Sequence, residues 1–458
     1  MTTLRATFIT LIMLVATVAP HLALAQSSRL PIVRDAEIEE LLRDYAEPLF
    51  RAAGVRGDRI DIILVNNRSF NAFVSGSRIF FHTGAIVEAE TPNEIIGVMA
   101  HEIGHIAGGH QNRLRQQLDR AQIISVVSSL VGLAAAAAAG ATGNGAGVSA
   151  GAGLAAGGTE AARRGLLAYQ RSEEAAADRA AVQYLNATGQ SARGMLETFK
   201  RFDTRLALVR ERVNPYRISH PLPRERILAL EELATASPNF KKRDSAALQR
   251  RHDMARAKIL AYSYGQGAAE QFAREKSGVI ADYARAINSF LYGNPRDAVT
   301  KIERLIASDR SNPFFHEILG EAQLLARNPN GAVDALSTAV RLSKGRYPTM
   351  LVALGQALVL KGDEVSLRRA IGELEVATTI DPVNPRAYRH LAMAYGRLGD
   401  PGNAELATAE EKFHSAQYRE ARQFAARAQR RFRPNEPQWL RADDIKRFEP
   451  PDRGRRRR

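Results

Sequence analysis

The chain has 458 residues, 45% of them hydrophobic and 25% charged, proportions that exclude a disordered or collagenous polypeptide and leave room for two or three domains. It has no cysteine, which excludes a disulfide framework, thiol catalysis and a lipid-bearing cysteine after a leader. The formal charge is +15, of which the terminal RGRRRR contributes five and carries no function in this reading.

The first residues place one Arg before an apolar run from Phe8 to Val18 and then Ala23-Leu24-Ala25. This pattern reads as a secretory signal peptide (residues 1–25) cleaved after Ala25. The alternative, an uncleaved anchor, is opposed by the short run and by Pro20 and His21. Export without disulfides points to a bacterial periplasm. Anionic lipid head groups or acidic protein surfaces are then the expected counterparts of the basic charge, and nucleic acid is not.

The stretch DAEIEELLRDYAEPLFRAAGV spaces Ile38, Leu41, Leu42, Tyr45 and Leu49 as an amphipathic helix. DIILVNN and RIFFHTGAI read as strands, and Ser75-Gly76-Ser77 is turn-prone. Thr91-Pro92 and Asn93-Glu94 suit the cap and first turn of a further helix that carries VMAHEIGHIAGGH.

Residues 122–159 carry no charge. Ile123 to Ala139 has nearly the length of a membrane span, yet a single span would put the VMAHEIGH helix and the later acidic helix on opposite sides of a membrane. A hairpin of spans would avoid that, but the second half is glycine-rich. The segment is therefore expected to be an Ala-packed helix running into a mobile Gly/Ala loop near the active site, with peripheral membrane contact left open. Helices resume in RRGLLAYQRSEEAAADRAAVQYLNATG and SARGMLETFKRFDTRLALVRERV, followed by NPYRISHPLPRERILALEELA.

The expected organisation is a catalytic domain over 26–236, a linker over 237–251, a repeat domain over 252–436 and a basic tail over 437–458. Pro313, Pro348 and Pro385 open three units 35 and 37 residues apart, near the ~34 of a tetratricopeptide repeat. Leu319-Gly320, Leu354-Gly355 and Leu391-Ala392 mark the first helices of these units, and Ala332, Ala370 and Ala404 the second. AINSFLYGNPRDAVTKIERLI reads as an eroded earlier unit, and YREARQFAARAQRRF as a closing helix. An unrelated helical bundle is the alternative.

On a helix, His101 and His105 share one face and Glu102 lies beside them. Two imidazoles at that spacing suit zinc, whose catalytic sites take three protein ligands and keep one position for water; Glu102 would take that water's proton and hand it to the leaving amine. A metzincin pattern would need histidine where Gln111 stands, and His110 misses it by one position. RSEEAAADRA offers another solution: Glu174 as third ligand and Asp178, four residues on, holding the outer N–H of a ligand histidine, with Glu173 pointing elsewhere. Without the first motif the same residues read as a solvated acidic face. His82, His110, His252, His316, His390 and His414 show no partner spacing and receive no role.

HEIGH, EAAAD some seventy residues later and HPLPRERI together resemble the HtpX and CAAX-prenyl-protease type of zinc metallopeptidase, family 48 of the gluzincin group, over roughly Arg34 to Ala234. With the repeats, the whole is similar to bacterial periplasmic beta-barrel assembly-enhancing proteases. The resemblance implies a mainly α chain with a small β-sheet: a gluzincin-like α+β zinc peptidase domain followed by an α-solenoid of tetratricopeptide repeats. It implies one Zn2+ per chain on His101, His105 and Glu174, with Glu102 as base and Asp178 as orienter. It implies that SFNAFVSGSRIFFHTGAI is a strand pair to which a substrate backbone can add. It also implies work on unfolded or misassembled outer-membrane proteins and contact with their assembly machinery. The family often shows Glu-X-Glu-Ala-Asp, and Ala176 here replaces the second acid, which puts only peripheral contacts in doubt.

His220 precedes Pro221 and is held extended. It is expected at the zinc, as a fourth ligand keeping the enzyme latent or as an electrophile toward the tetrahedral intermediate, with Arg226 nearby; packing against Tyr216 is the alternative. Two further function classes stay open, a repeat-based chaperone or scaffold with a largely latent zinc site and a membrane-embedded protease.

Overall fold

The computed structural model describes residues 30–142, 144–208, 220–221 and 223–450. The expected signal peptide, Tyr216 and the arginine-rich end lie outside them.

A short strand β1 (Ile32–Val33) leads into α1 (Ala36–Ala52), capped by the Asp35 side chain accepting from Ile38 N. The apolar stripe predicted for α1 is the one buried, with Leu41, Leu42, Tyr45 and Leu49 in the main core. Strands β2 (Asp61–Val65), β3 (Ala72–Ser75) and β4 (Arg78–His82) complete a four-stranded sheet in the order β1-β2-β4-β3. β2 runs parallel to β4 and β3 antiparallel to it, with Ala72 opposite Phe81 and Ser75 opposite Arg78. The sheet thus ends on β3, whose outer side pairs with no strand among the described residues.

After α2 (Thr83–Glu88) comes α3 (Pro92–Ala107), buried from Pro92 through Gly104. Pro92 fits the first turn because its missing N–H would have had no helical partner there. The Glu94 side chain accepts from Glu90 N at 3.1 Å. Ile95, Ile96, Val98, Met99 and Ile103 make α3 the axis of the main core.

Residues 122–159 are not a mobile loop. They form two helices, α4 (His110–Ala141) and α5 (Gly145–Ala187), the second capped by the Asn144 side chain, which accepts from Gly147 N. The glycines that argued for a loop are where the two backbones close on each other. A Cβ on Gly132 would stand 2.4 Å from Gly151 O, and one on Gly151 would stand 2.5 Å from Gly132 O. Close helix contact outweighs the poor helix propensity of glycine, about 1 kcal/mol per residue relative to alanine.

α6 (Arg193–Leu208) and α7 (Arg224–Thr235) pack under the core, and α8 (Ala246–Ile259) follows. The expected linker is therefore helix from Ala246 onward. Its first part is also tied down: Ser191 Oγ donates to Phe240 O at 2.7 Å, and Asn93 N donates to Asp244 Oδ2 at 2.9 Å. Charged, punctuated sequence here marks surface bonds to the domain, not slack. α8 serves two cores, giving Ala255 and Ile259 to the first and Met254 and Ala257 to the second.

Helical hairpins follow a π-helical turn (Leu260–Tyr264): α9 (Gln266–Glu275), α10 (Gly278–Tyr292), α11 (Pro295–Ser308), α12 (Pro313–Leu325), α13 (Pro329–Leu342), α14 (Pro348–Lys361), α15 (Glu364–Ile380), α16 (Pro385–Arg397), α17 (Pro401–His414), α18 (Tyr418–Gln429) and α19 (Pro437–Arg447). Asn294, Asn312, Asn328 and Asn384 each cap a helix with the side chain and are followed by Pro at its first position. The expected tail begins as helix α19, because Ala442 and Ile445 bury against Ala425 and Ala428 of α18 and close the stack.

The solenoid grips the start of the N-terminal half. Arg34 Nη1 lies 2.6 Å from Asp381 Oδ2, and Lys258 Nζ lies 2.8 Å from Asp35 Oδ2. Tyr283 Oη donates to Glu37 Oε2 at 2.6 Å, and Tyr347 donates to Glu40.

Candidate metal centre

α3 presents His101 and His105 one turn apart, and α5 crosses it with Glu174 and Asp178. The crossing depends on Gly104, since a Cβ there would come within 3.0 Å of Ala177 O and 3.2 Å of Ala177 Cα. The EAAAD run supplies the complementary small side chains. From the other side, His220 arrives just before Pro221 at the start of α7.

Ligand atoms of His101, His105, Glu174 and His220, all buried, lie within 4.8 Å of one another. His101 Nε2 is 3.0 Å from His105 Nε2, 3.3 Å from His220 Nδ1 and 3.4 Å from Glu174 Oε2. His105 Nε2 is 3.3 Å from Glu174 Oε1, and His220 Nδ1 is 3.1 Å from Glu174 Oε2. Four ligands at zinc's bond length, set tetrahedrally, stand about 3.3 Å apart. The four groups therefore form a cage of the size that ion requires.

The outer ring atoms are held as well. His101 Nδ1 is 3.0 Å from Asp178 Oδ1. Arg226 grips the same carboxylate, with Nη2 donating to Oδ1 at 2.8 Å, and its Nη1 lies 2.8 Å from Glu174 Oε2. Burial raises the Asp178 carboxyl, but Arg226 and His101 outweigh it and hold the group below its ordinary value. Burial likewise opposes ionisation of Glu174, yet the three histidines hold it well below the usual carboxylate range. His101 is pulled down by burial and raised further by Asp178 and Glu174, ending near 9. Each ring nitrogen thus faces a carboxylate, Nδ1 that of Asp178 and Nε2 that of Glu174, a setting in which a cation at the centre would take the place of the Nε2 proton.

Sequence reading missed the partner of His105. His110 Nδ1 lies 2.8 Å from His105 Nδ1, and His110 Nε2 lies 3.0 Å from Glu173 Oε2, which also takes Arg113 at 2.7 Å. Glu173 thus faces the cleft instead of pointing elsewhere. The one available signal was Gly108-Gly109, where φ of +64° at Gly109 breaks the chain between α3 and α4 and turns His110 back. Burial and the neighbouring His105 lower the His110 imidazole to about 4, so it is neutral and can accept from one ring while donating to a carboxylate. Gln111, where a metzincin would carry its third histidine, instead accepts from Gly76 N at 2.8 Å and donates to Val74 O, fastening the β3–β4 turn to α4.

Glu102 is wholly buried, and neither carboxylate oxygen accepts a hydrogen bond among the described residues. Its Oε1 is 3.4 Å from His220 Nε2. Glu102, His105, Glu174 and His220 line a cleft of about 170 Å³ with Phe73 and Val74 of the edge strand β3.

Comparison with known families matches residues 33–234, the span that contains this cage, to peptidase family M48. The chain is 23% identical over 320 residues to the beta-barrel assembly-enhancing protease of Escherichia coli K12, a match covering 68% of this chain and 63% of that protein. It is 28% identical over 298 residues to a Vibrio cholerae protein that carries the same name in provisional form, covering 64% of this chain and 57% of the relative. The chain thus spans about three-fifths of the length of these relatives. Among solved structures, part of the chain is similar to YrrB, titled a TPR protein with an unusual peptide-binding site (17% identity, 37% of this chain, 88% of that one, TM-score 0.31). It is also similar to MamA (21% identity, 36% of this chain, 88% of that one, TM-score 0.27). The M48 domain and the helical repeats together make the chain mainly α with a small mixed sheet.

Proposed function

We propose that the protein is a zinc-dependent periplasmic endopeptidase acting on misfolded or stalled envelope proteins, outer-membrane β-barrel proteins foremost, in contact with their assembly machinery and with the repeats recruiting substrate or partner. The observation that carries this reading is the convergence of His101, His105 and Glu174 beside the buried, unbonded carboxylate of Glu102. His101, His105 and Glu174 would hold one zinc ion, which when bound supplies Lewis acidity to a substrate carbonyl.

Glu102 takes a proton from the attacking water and passes it to the leaving amine. Asp178 and His110 fix the outer nitrogens of His101 and His105, and Arg226 holds Asp178 and Glu174 in place. The outer edge of β3, apart from the Val74 carbonyl that Gln111 occupies, offers backbone groups to which an extended substrate segment pairs as an added strand. A folded domain has no such segment to give.

His220 Nδ1 at the fourth corner favours a closed resting state that opens when His220 leaves the cage. The same observation supports the second reading, a repeat-based chaperone with a largely latent site, for which Glu102→Gln would leave the cellular role intact.

The test compares residues 26–458 with the same chain carrying Glu102→Gln, measuring zinc content and casein cleavage. One zinc in each, with cleavage lost only in the variant, is the expected result. Absence of zinc from both overturns the metallopeptidase reading.

A further inference from the structure

Helices α4 and α5 leave the body of the protein as a pair whose outer parts, among the described residues, pack chiefly on each other. Small residues face inward along the pair: Ser125, Ser128, Gly132 and Ala136 on α4 meet Gly151, Ala155 and Gly158 on α5. Apolar residues face outward, with Ile123, Val127, Leu130, Val131, Leu133 and Leu154 each 52–65% exposed. Those on α4, with Ile124 and Val126, cover roughly half of its circumference at 100° per residue. A contact with one partner helix would need only a narrow stripe, and monomers in water seldom show so large a continuous patch.

Three independent features fit a lipid surface. The charge-free part of α4, Ala121 to Ala141, is about 31 Å long at 1.5 Å per residue, the thickness of a bilayer's hydrocarbon core. Several hydroxyls of the hairpin donate within it, as apolar surroundings favour: Ser129 Oγ donates to Ser125 O at 2.7 Å, Thr142 Oγ1 to Ala139 O at 2.9 Å, Thr159 Oγ1 to Ala155 O at 3.1 Å. A basic collar then marks where the apolar part begins. Arg113, Arg115, Arg120, Arg163, Arg164 and Arg171 stand there against Asp119, Glu160 and Glu173, a surplus suited to anionic head groups.

We infer that the α4–α5 hairpin inserts into a bilayer containing anionic lipid and anchors the enzyme by it. A hairpin returns to the side it left, so His101 on α3 and Glu174 on α5 stay together, which removes the topological objection to a membrane contact here. Glu174 lies fifteen residues along α5 from Thr159, so the cage stands on the order of 20 Å above the surface. The inference is independent of the peptidase reading, because it rests on no residue of the cage.

The chain has no cysteine, so Leu130→Cys in the chain from Gln26 onward accepts a single polarity-sensitive fluorophore, and Val365→Cys, 78% exposed on the solenoid, gives the control. With vesicles of phosphatidylglycerol and phosphatidylethanolamine, the label at 130 should shift to the blue and that at 365 should not. The unlabelled chain should float with these vesicles, and Val127→Asp/Leu130→Asp/Leu133→Asp should lower the bound fraction at least about tenfold. Vesicles of phosphatidylcholine alone should hold the chain several-fold less well. An unshifted label at 130, or equal flotation of the triple variant, overturns the inference. So does a dimer that the triple variant dissolves without any vesicle binding, which would make a second copy the occupant.

Discussion

His110 Nδ1 sits 2.8 Å from His105 Nδ1, which makes a histidine outside the HEIGH motif the partner of a histidine within it. Without it, the His105 ring loses its tautomer and its orientation. His110→Ala should therefore weaken zinc binding roughly 10- to 100-fold with little change in melting temperature of the metal-free chain. A chelator competition assay checks it, and unchanged affinity would make His110 a spectator.

Arg226 is buried against two carboxylates. Arg226→Met leaves Asp178 without its guanidinium partner and should cost about 3–5 kcal/mol in urea unfolding. Arg226→Lys should recover only part of that, because an ammonium cannot make the paired contacts to Asp178.

Gly104 sets how near α5 can come to α3. Gly104→Val drives a side chain into the Ala177 backbone, so it should abolish stoichiometric zinc binding, while Gly165→Val, whose added Cβ meets nothing within 4 Å, should retain it. Zinc content of the purified variants decides.

His220 fills the fourth corner of the cage. His220→Ala should keep the zinc and raise casein cleavage several-fold if the residue holds the site shut. Loss of cleavage with zinc retained would instead assign it to transition-state stabilisation, and no change in either would remove both roles.

Acid should reveal His252, buried between Tyr45 Oη at 3.2 Å and Ala89 O at 2.9 Å. Burial lowers its pKa from 6.5 to about 4. Below pH 6.5 the unfolded chain binds a proton that the folded one refuses. The stability present above pH 6.5 is thus lost progressively toward pH 4, by up to about 3 kcal/mol. In His252→Gln that part of the decline should vanish from urea midpoints taken across this range.

The cage residues were legible because helical period is a strong constraint: four-residue spacing on two helices put His101, His105, Glu174 and Asp178 on facing sides before any contact was known. His110 was illegible because a left-handed glycine resets the helical phase, and spacing rules do not cross such a break. The hairpin was misread for another reason. Glycine content at 143–158 reports poor local propensity, while the partner that repays it, α4, lies a turn away in sequence and is visible only in three dimensions. Repeat periodicity survived in the solenoid because each unit buries its face on its neighbour, although Ala442 and Ile445 show that the stack runs on into residues expected to be tail.

The grip of the solenoid on the first helix bears on the order in which the protein is made. Arg34 and Asp381 are 347 positions apart, and Tyr347 and Glu40 are 307 apart. Residues 34–40 are among the first of the described chain to leave the ribosome, yet their ion pairs and hydrogen bonds await repeats synthesised near the end. Loop closure over such separations is paid before it is rewarded. The peptidase half is therefore left unfinished along one side for most of its synthesis, and its completion reports that the repeats have folded.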